Sequence, residues 1–147
     1  MTQLSFVVTD VLPASENSQC SFFDFDDTNI SDVCIHAITD GRDTQPTAAQ
    51  SSIQTLQNYT EQYGVGRIVT LSGRYYAMDR DQRWDRVEKV YRVITDTSDG
   101  NGKTALEAVQ ASYTENITDE FIEHERLAPG ALEPNEGVIF FNFRHDR

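Results

Sequence analysis

The sequence predicts an α/β protein with a largely parallel sheet and helices on both faces. Apolar runs rich in β-branched residues, typical of buried strands, alternate along the chain with segments whose apolar residues recur every three or four positions, as in amphipathic helices. A helix between two strands implies a crossover connection, and crossovers join parallel strands in sheets that are covered on both sides. A length of 147 residues allows one domain with a single core.

Three strands are predicted. The first is Val33 to Ile38, an apolar run closed by polar residues and a glycine, which is typical of a strand buried on both faces. The second is Arg67 to Leu71, and the third is Gly137 to Phe143, which is rich in Ile, Val and Phe.

The helix between the first two strands is predicted to begin after Pro46 and to end at Gly64. Thr47 is its predicted N-cap, because a threonine oxygen can accept a hydrogen bond from a free N–H group of the first turn. Gly64 is a natural C-terminal stop, since glycine adopts the left-handed conformation at low cost. The residues predicted to mark one face are Ala49, Ile53, Leu56 and Tyr63.

Two further helices are predicted. One begins near Asp81 and follows the second strand, and the other runs from about Thr104 to Tyr113. The apolar stripe of the first of these helices consists of Trp84, Val87, Tyr91 and Ile94.

Positive charge is concentrated in one part of an acidic chain. The formal net charge is -12, yet seven of the twelve Lys and Arg residues lie between Arg67 and Arg92. Acid-first pairs four positions apart, which support a helix surface, are Asp85 with Lys89 and Glu88 with Arg92. We assign Arg86 to the same solvated helix face. Arg74 and Arg80 precede that helix and have no acid at helical spacing, so they are candidates for a site.

Composition restricts the class of partner. The acidic balance argues against nucleic acid and against an anionic membrane surface, and no apolar run approaches the roughly 20 residues of a membrane helix. The two cysteines lack the spacing of a zinc site or a disulfide framework. These features predict a cytoplasmic chain with no membrane and no nucleic-acid partner.

Residues 1–30 differ in composition from the rest of the chain. They contain no Lys or Arg, carry several Asp and Glu residues and have a polar middle. We therefore divide the chain into an atypical acidic leader, 1–30, and a domain, 31–147. A poorly ordered tail is favoured over a docking or regulatory arm. Leu4 to Val8 could still add an edge strand.

Basic loops follow all three predicted strands. Asp40 to Asp43 comes after the first, Ser72 to Arg74 after the second, and Arg144 to Arg147 after the third. Because parallel strands present their carboxyl ends at one edge of the sheet, these loops are expected to meet there. Arginine binds phosphate and carboxylate through two hydrogen bonds at once. A small acid that carries both groups is the ligand these residues suit.

Four segments resemble the cofactor-independent (2,3-bisphosphoglycerate-independent) phosphoglycerate mutases. They are HAITDGRDTQP from His36, SGRYYAMDRDQRWDRVEK from Ser72, DEF from Asp119 and IFFNFRHDR from Ile139, in that order. The resemblance covers residues 31–147. It implies an isomerase family of glycolysis and gluconeogenesis that interconverts 2-phosphoglycerate and 3-phosphoglycerate.

The resemblance also implies specific site residues. The substrate-binding positions of the family correspond to Arg42, Asp43, Arg74, Arg80, Arg144 and Arg147. Asp43 is in addition a candidate catalytic residue, which could contact a substrate hydroxyl or assist proton movement. The alternative is that Asp43 only neutralises Arg42 or caps the turn.

Members of the family contain a second, phosphatase-like domain with a nucleophilic serine and two manganese or magnesium ions. The resemblance finds no counterpart here for that serine or for the metal ligands, and Val11 to Glu16 lacks a histidine that the family carries. We therefore expect a partial substrate-binding domain with no metal of its own, which is not active alone. The alternatives are a non-catalytic fragment that docks on a phosphatase-like domain, or an inactive gene remnant.

Overall fold

A five-stranded sheet forms the centre of the molecule. The computed structural model describes residues 2–9 and 30–141. The strands are β1 (Thr2–Thr9), β2 (Ile30–Thr39), β3 (Arg67–Gly73), β4 (Glu125–Arg126) and β5 (Gly137–Phe141). Their spatial order is β4-β3-β2-β1-β5. The pairs β1–β2, β2–β3 and β1–β5 are parallel, and only the short β4 is antiparallel to its neighbour. The prediction of a largely parallel α/β sheet is confirmed.

Helices connect the strands. In the described ranges they are α1 (Ala49–Tyr63), α2 (Arg74–Ala77), α3 (Trp84–Thr95) and α4 (Ala105–Thr114), and a 3-10 turn follows at Asp119–Phe121. None of the helices in the described ranges is long and apolar enough to cross a membrane. The short helix α2, the 3-10 turn and β4 have no counterpart among the elements predicted from periodicity, because each is too short to show a period.

Strand β1 lies inside the sheet. Its backbone pairs with β2 on one side and with β5 on the other. Leu4 to Val8 thus forms a strand, as the sequence allowed, but its expected position at the edge of the sheet is wrong. Residues 10–29 lie outside the described part of the chain, so the division at residue 30 stays a prediction.

The main core lies on one face of the sheet. Ala37 of β2 and Leu71 of β3 pack against Ile53 of α1 and Val109 of α4. Neighbouring residues of a strand point to opposite faces. Ile38 accordingly packs on the other side, against Met78 after α2 and against Val138 of β5. Helices therefore cover both faces, as predicted.

The N-cap of α1 differs from the prediction. The capping residue is Ala48, which has no side-chain cap, and Thr47 is not the N-cap. The carboxylate of Asp119 takes that role, because its Oδ2 accepts a hydrogen bond from the backbone N–H of Ala49 at 2.8 Å. The predicted stop is confirmed: Gly64 is left-handed, with a φ of 65°.

Helix α3 presents a different face to the core than its apolar stripe predicts. Trp84 is 71% exposed and Tyr91 is 65% exposed, whereas Val90 is buried. Val87 and Ile94 are half-buried. The prediction that Trp84 and Tyr91 face the core was wrong. The helix packs instead through its smaller aliphatic side chains.

Candidate functional site

Two of the predicted basic loops meet at the carboxyl edge of the sheet. Thr39 at the end of β2 is in register with Gly73 at the end of β3, so the two following segments start side by side. Nη1 of Arg74, the first residue of α2, contacts the carboxylate of Asp40 and lies 2.9 Å from Oδ2 of Asp43. The predicted meeting of these two loops is confirmed.

Arg74 is a buried cation. Only 2% of the residue is exposed, and its partner Asp40 is 5% exposed. Burial by itself disfavours the charged form, but the hydrogen bonds to Asp40 and Asp43 more than offset this and raise the pKa of Arg74. Among the described residues, no hydrogen-bond partner reaches its buried Nε and Nη2 atoms. An unsatisfied donor of this kind costs free energy until an acceptor reaches it.

The carboxylate of Asp40 also shapes its own loop. Its Oδ2 accepts a hydrogen bond from the backbone N–H of Asp43 at 3.1 Å, which turns Asp43 back toward Arg74. Gly41 adopts a φ of 66°, and a Cβ atom there would lie 2.7 Å from the Cβ of Asp119. Glycine is therefore required on two counts, conformation and space.

A cleft of about 280 Å³ opens beside Arg74. Four arginines line it, together with aromatic, aliphatic and acidic side chains. The lining residues are Arg42, Arg74, Arg80, Arg86, Tyr75, Phe121, Met78, Asp79, Asp81 and Glu120. Three of the six predicted substrate-binding arginines and aspartates, Arg42, Arg74 and Arg80, thus share one cleft. Arg144 and Arg147 lie outside the described residues.

Arg42 and Asp43 occupy different environments. The side chain of Arg42 is 60% exposed, and its Nη1 lies 3.8 Å from Glu120. The side chain of Asp43 is 51% exposed and is tied to Arg74. Both groups can therefore be reached by a ligand from solvent, whereas Arg74 forms the floor of the site.

Arg86 does not lie on the solvated helix face to which it was assigned. Its side chain is 17% exposed, and its Nη1 lies 3.3 Å from Oδ1 of Asp79. The carbon of its guanidinium stands 3.9 Å from the ring centroid of Tyr75. By contrast, the predicted pair of Glu88 with Arg92 is present at 2.6 Å and is largely exposed.

The 3-10 turn at Asp119–Phe121 packs against both the Asp40 loop and the end of β3 before Arg74. Asp119 is 1% exposed, and its backbone carbonyl accepts a hydrogen bond from Thr39 Oγ1 at 2.7 Å. Its carboxylate accepts from Tyr113 OH as well as from Ala49. Burial raises the pKa of Asp119, although both hydrogen bonds oppose the rise. This supporting role of Asp119 was not identified from the sequence. The available signal was Gly41 and Gly73, which both lie against the 3-10 turn.

His36 of β2 is buried and forms a hydrogen bond across the sheet. Its Nδ1 lies 2.9 Å from Thr70 Oγ1 on the neighbouring strand. Burial, with a smaller contribution from the charge of Arg126, lowers the pKa of His36 to about 4. The ring is therefore neutral at physiological pH and belongs to the core.

The described residues do not fit the pair of divalent ions that the family resemblance implies. Across residues 2–9 and 30–141, no group of three or more His, Cys, Asp or Glu side chains is arranged to hold a metal ion. Asp79 in the cleft is instead engaged by Arg86, and Asp40 behind Arg74 is engaged by that arginine. We derive no chemical step through a metal at this site.

Fold and site together define an α/β domain with an arginine-lined cleft at the carboxyl edge of a parallel sheet. Residues 22–147 match the family described as BPG-independent PGAM N-terminus (iPGM_N). The chain therefore belongs to the family of 2,3-bisphosphoglycerate-independent phosphoglycerate mutases. The part of the family that it matches is the N-terminus. The resemblance inferred from the four sequence segments is confirmed.

Individual relatives support the same assignment. The chain is 63% identical over 118 residues to the 2,3-bisphosphoglycerate-independent phosphoglycerate mutase of Nostoc punctiforme, covering 80% of this chain and 22% of the relative. The corresponding protein of Gloeothece citriformis is 55% identical over 119 residues, covering 81% and 22%. The chain thus spans about a fifth of the length of these relatives.

A solved structure has the same fold. The crystal structure of Leishmania mexicana phosphoglycerate mutase at low cobalt concentration superposes with a TM-score of 0.81 at 20% identity, over 93% of this chain and 28% of that one. At this level of identity the likeness supports the fold alone.

Proposed function

We propose that this chain is the phosphoglycerate-binding portion of a 2,3-bisphosphoglycerate-independent phosphoglycerate mutase. The family assignment supports the substrate class, since the relatives bear that name. The observation that carries the proposal is Arg74, a cation that is only 2% exposed yet has two nitrogen atoms without an acceptor in the described part of the chain.

The chemistry of the cleft suits a small acid with two anionic groups. Arg42, Arg74 and Arg80 line one cavity, and each can donate two parallel hydrogen bonds to a phosphate or a carboxylate. A guanidinium stays charged at every physiological pH, so these arginines do not have to take up a proton to bind an anion. 2-Phosphoglycerate and 3-phosphoglycerate carry one phosphate and one carboxylate and are the ligands we propose.

Arg144 and Arg147 belong to the same proposal. They follow β5 in the chain, and β5 runs parallel to β1, which in turn runs parallel to β2. A segment that leaves β5 therefore starts at the edge of the sheet where Asp40 and Arg74 meet. We propose that both arginines complete the anion site.

Asp43 is proposed to contact a hydroxyl group of the glycerate and to assist proton movement there. Its half-exposed carboxylate is held beside Arg74, at 2.9 Å from Nη1. A carboxylate oxygen in this position can accept a hydrogen bond from a hydroxyl. Arg42 has a different acidic neighbour, Glu120, at 3.8 Å, so the alternative that Asp43 merely neutralises Arg42 receives less support.

Turnover is proposed to require the phosphatase-like part of the family, with its nucleophilic serine and two manganese or magnesium ions. Phosphoryl transfer needs a nucleophile and positive charge to stabilise the transferred group. We also propose that the chain acts in the cytoplasm, where glycolytic enzymes meet their substrates, and possesses no nucleic-acid or membrane partner.

A titration of the 147-residue chain with 3-phosphoglycerate, followed by NMR or calorimetry, tests this proposal. Binding should be weak, because association costs several kcal/mol before any contact is repaid, and it should weaken further with added salt. Arg74→Lys retains the charge but loses the planar fork, so it should weaken binding about tenfold.

Arg92→Lys is the matched control, since Arg92 is exposed on α3 and pairs with Glu88. Its binding should equal that of the unmodified chain. Thermal unfolding of each variant shows whether the fold is intact. Absence of binding to the unmodified chain, or equal loss in both variants, would contradict the proposal.

A further inference from the structure

Arg86 lies on the first turn of α3, but its guanidinium is part of the cleft. It lines the same cavity as Arg74 and Arg80, and its side chain is 17% exposed. The ring of Tyr75 lies 3.9 Å from the guanidinium carbon. A cation over an aromatic face is held in place while the edge of its guanidinium stays open to acceptors. The position of Arg86 is therefore fixed by stacking on Tyr75, without every N–H group of the guanidinium forming a hydrogen bond.

Among the described residues Arg86 has one acidic partner, Asp79, which leaves most of its donors available. Nη1 reaches Oδ1 of Asp79 at 3.3 Å, which is long for a hydrogen bond between charged groups. The other oxygen of Asp79 already accepts from the backbone N–H groups of Asp81 at 3.1 Å and Arg83 at 2.8 Å. Within the described ranges, Nε and Nη2 of Arg86 make no hydrogen bond.

We propose that Arg86 is a further ligand-binding residue of the cleft, donating directly to one of the two anionic groups of the bound acid. This inference rests on the proposed function. A ligand with a phosphate and a carboxylate requires cationic donors at two separate points, and Arg86 adds to the donors that Arg42, Arg74 and Arg80 bring to the same cavity. Arg86 lines the same cavity, with three N–H donors unused.

Arg86 also has a structural contact that an experiment must separate from ligand binding. Asp79 caps the turn that carries Arg80, and Arg86 holds Asp79. A purely positioning role would disturb every ligand equally. A direct contact to one anionic group weakens only those ligands that carry that group.

The test compares three variants of the full chain. Arg86→Gln removes the charge, Arg86→Lys keeps the charge without the fork, and Arg92→Gln removes an exposed charge one and a half turns further along the same helix. The probes are 3-phosphoglycerate, glycerol 3-phosphate, which lacks the carboxylate, and glycerate, which lacks the phosphate. Binding is followed by NMR titration at two salt concentrations, and thermal unfolding of each variant is recorded.

Arg86→Gln is expected to weaken 3-phosphoglycerate binding about tenfold or more, and Arg92→Gln by less than about twofold. The loss should appear with only one of the two partial ligands, and the salt dependence of binding should decrease. If Arg86→Gln fails to fold, Arg86→Lys carries the comparison, with an expected loss of about threefold to tenfold.

Three outcomes would overturn the inference. Arg86→Gln could behave like Arg92→Gln while Arg74→Lys still weakens binding. The loss could fall equally on both partial ligands, which would make Arg86 a positioning residue only. Finally, the unmodified chain could bind no 3-phosphoglycerate at all, in which case the proposed function itself fails; the first two outcomes leave that function intact.

Discussion

Gly73→Ala is expected to push the end of β3 away from the 3-10 turn at Asp119–Phe121. Gly73 ends β3 directly before Arg74 and has a φ of -73°, so alanine there causes no backbone strain. A Cβ atom, however, would lie 2.4 Å from the carbonyl oxygen of Glu120, whereas ordinary contacts begin at 3.4 Å. The strand end and the 3-10 turn must move apart by about 1 Å, because both contacting groups are backbone.

The magnitude follows from two contributions. Forcing a methyl group into a packed site costs about 1–3 kcal/mol. The hydrogen bond from Gly73 N–H to the carbonyl of Ile122, at 2.8 Å, is weakened by the same movement, at a cost of about 1 kcal/mol. A total of about 3 kcal/mol lowers the Tm of a chain of this length by about 9 °C. Because Arg74 is the next residue, binding of 3-phosphoglycerate should fall as well.

Thermal unfolding and titration with 3-phosphoglycerate measure both effects. Gly102→Ala is the matched control, since Gly102 has a φ of 75° and no heavy atom within 4 Å of a Cβ placed there. It should lose only about 1 kcal/mol from backbone strain, or about 3 °C, and should bind normally. If the two variants lose the same stability and Gly73→Ala binds like the unmodified chain, the close approach does not hold the site together.

Two further predictions concern stability. The pKa of His36 is lowered from 6.5 to about 4 by burial and by Arg126, so the unfolded chain takes up its proton first. Stability should be complete above pH 6.5 and fall by up to about 3 kcal/mol toward pH 4; urea unfolding should show this loss reduced in His36→Gln. Asp119→Ala leaves Ala49 N–H and Tyr113 OH without their acceptor and should cost about 2–4 kcal/mol. In that background Tyr113→Phe should cost less than in the unmodified chain, and additive costs would refute the coupling.

Local pattern was sufficient for the larger elements. The β-branched run at Val33 to Ile38 became the centre of β2, and Gly64 ended α1 in the left-handed conformation. Such features depend on residues within a few positions of each other, which is the range over which side-chain periodicity and glycine conformation act. Parallel strand direction followed from the helical crossovers and placed the Asp40 and Arg74 loops at one edge.

Long-range contacts decided what local pattern could not. The N-cap of α1 comes from Asp119, 70 residues away, and displaced the local candidate Thr47. Which side of α3 is exposed depends on how that helix packs against the rest of the fold. Trp84 therefore faces solvent despite its apolar side chain.

The sequence by itself determined the fold class, the family and the two arginine-bearing loops that meet at the sheet edge, because these follow from periodicity, motif and strand direction. Only the tertiary structure decided that Arg74 is buried, that Asp40 is its buried partner and that Arg86 lines the cleft. The physical reason is that burial and ion pairing are set by groups brought together from distant parts of the chain, as Arg74 and Asp40 are across 34 positions.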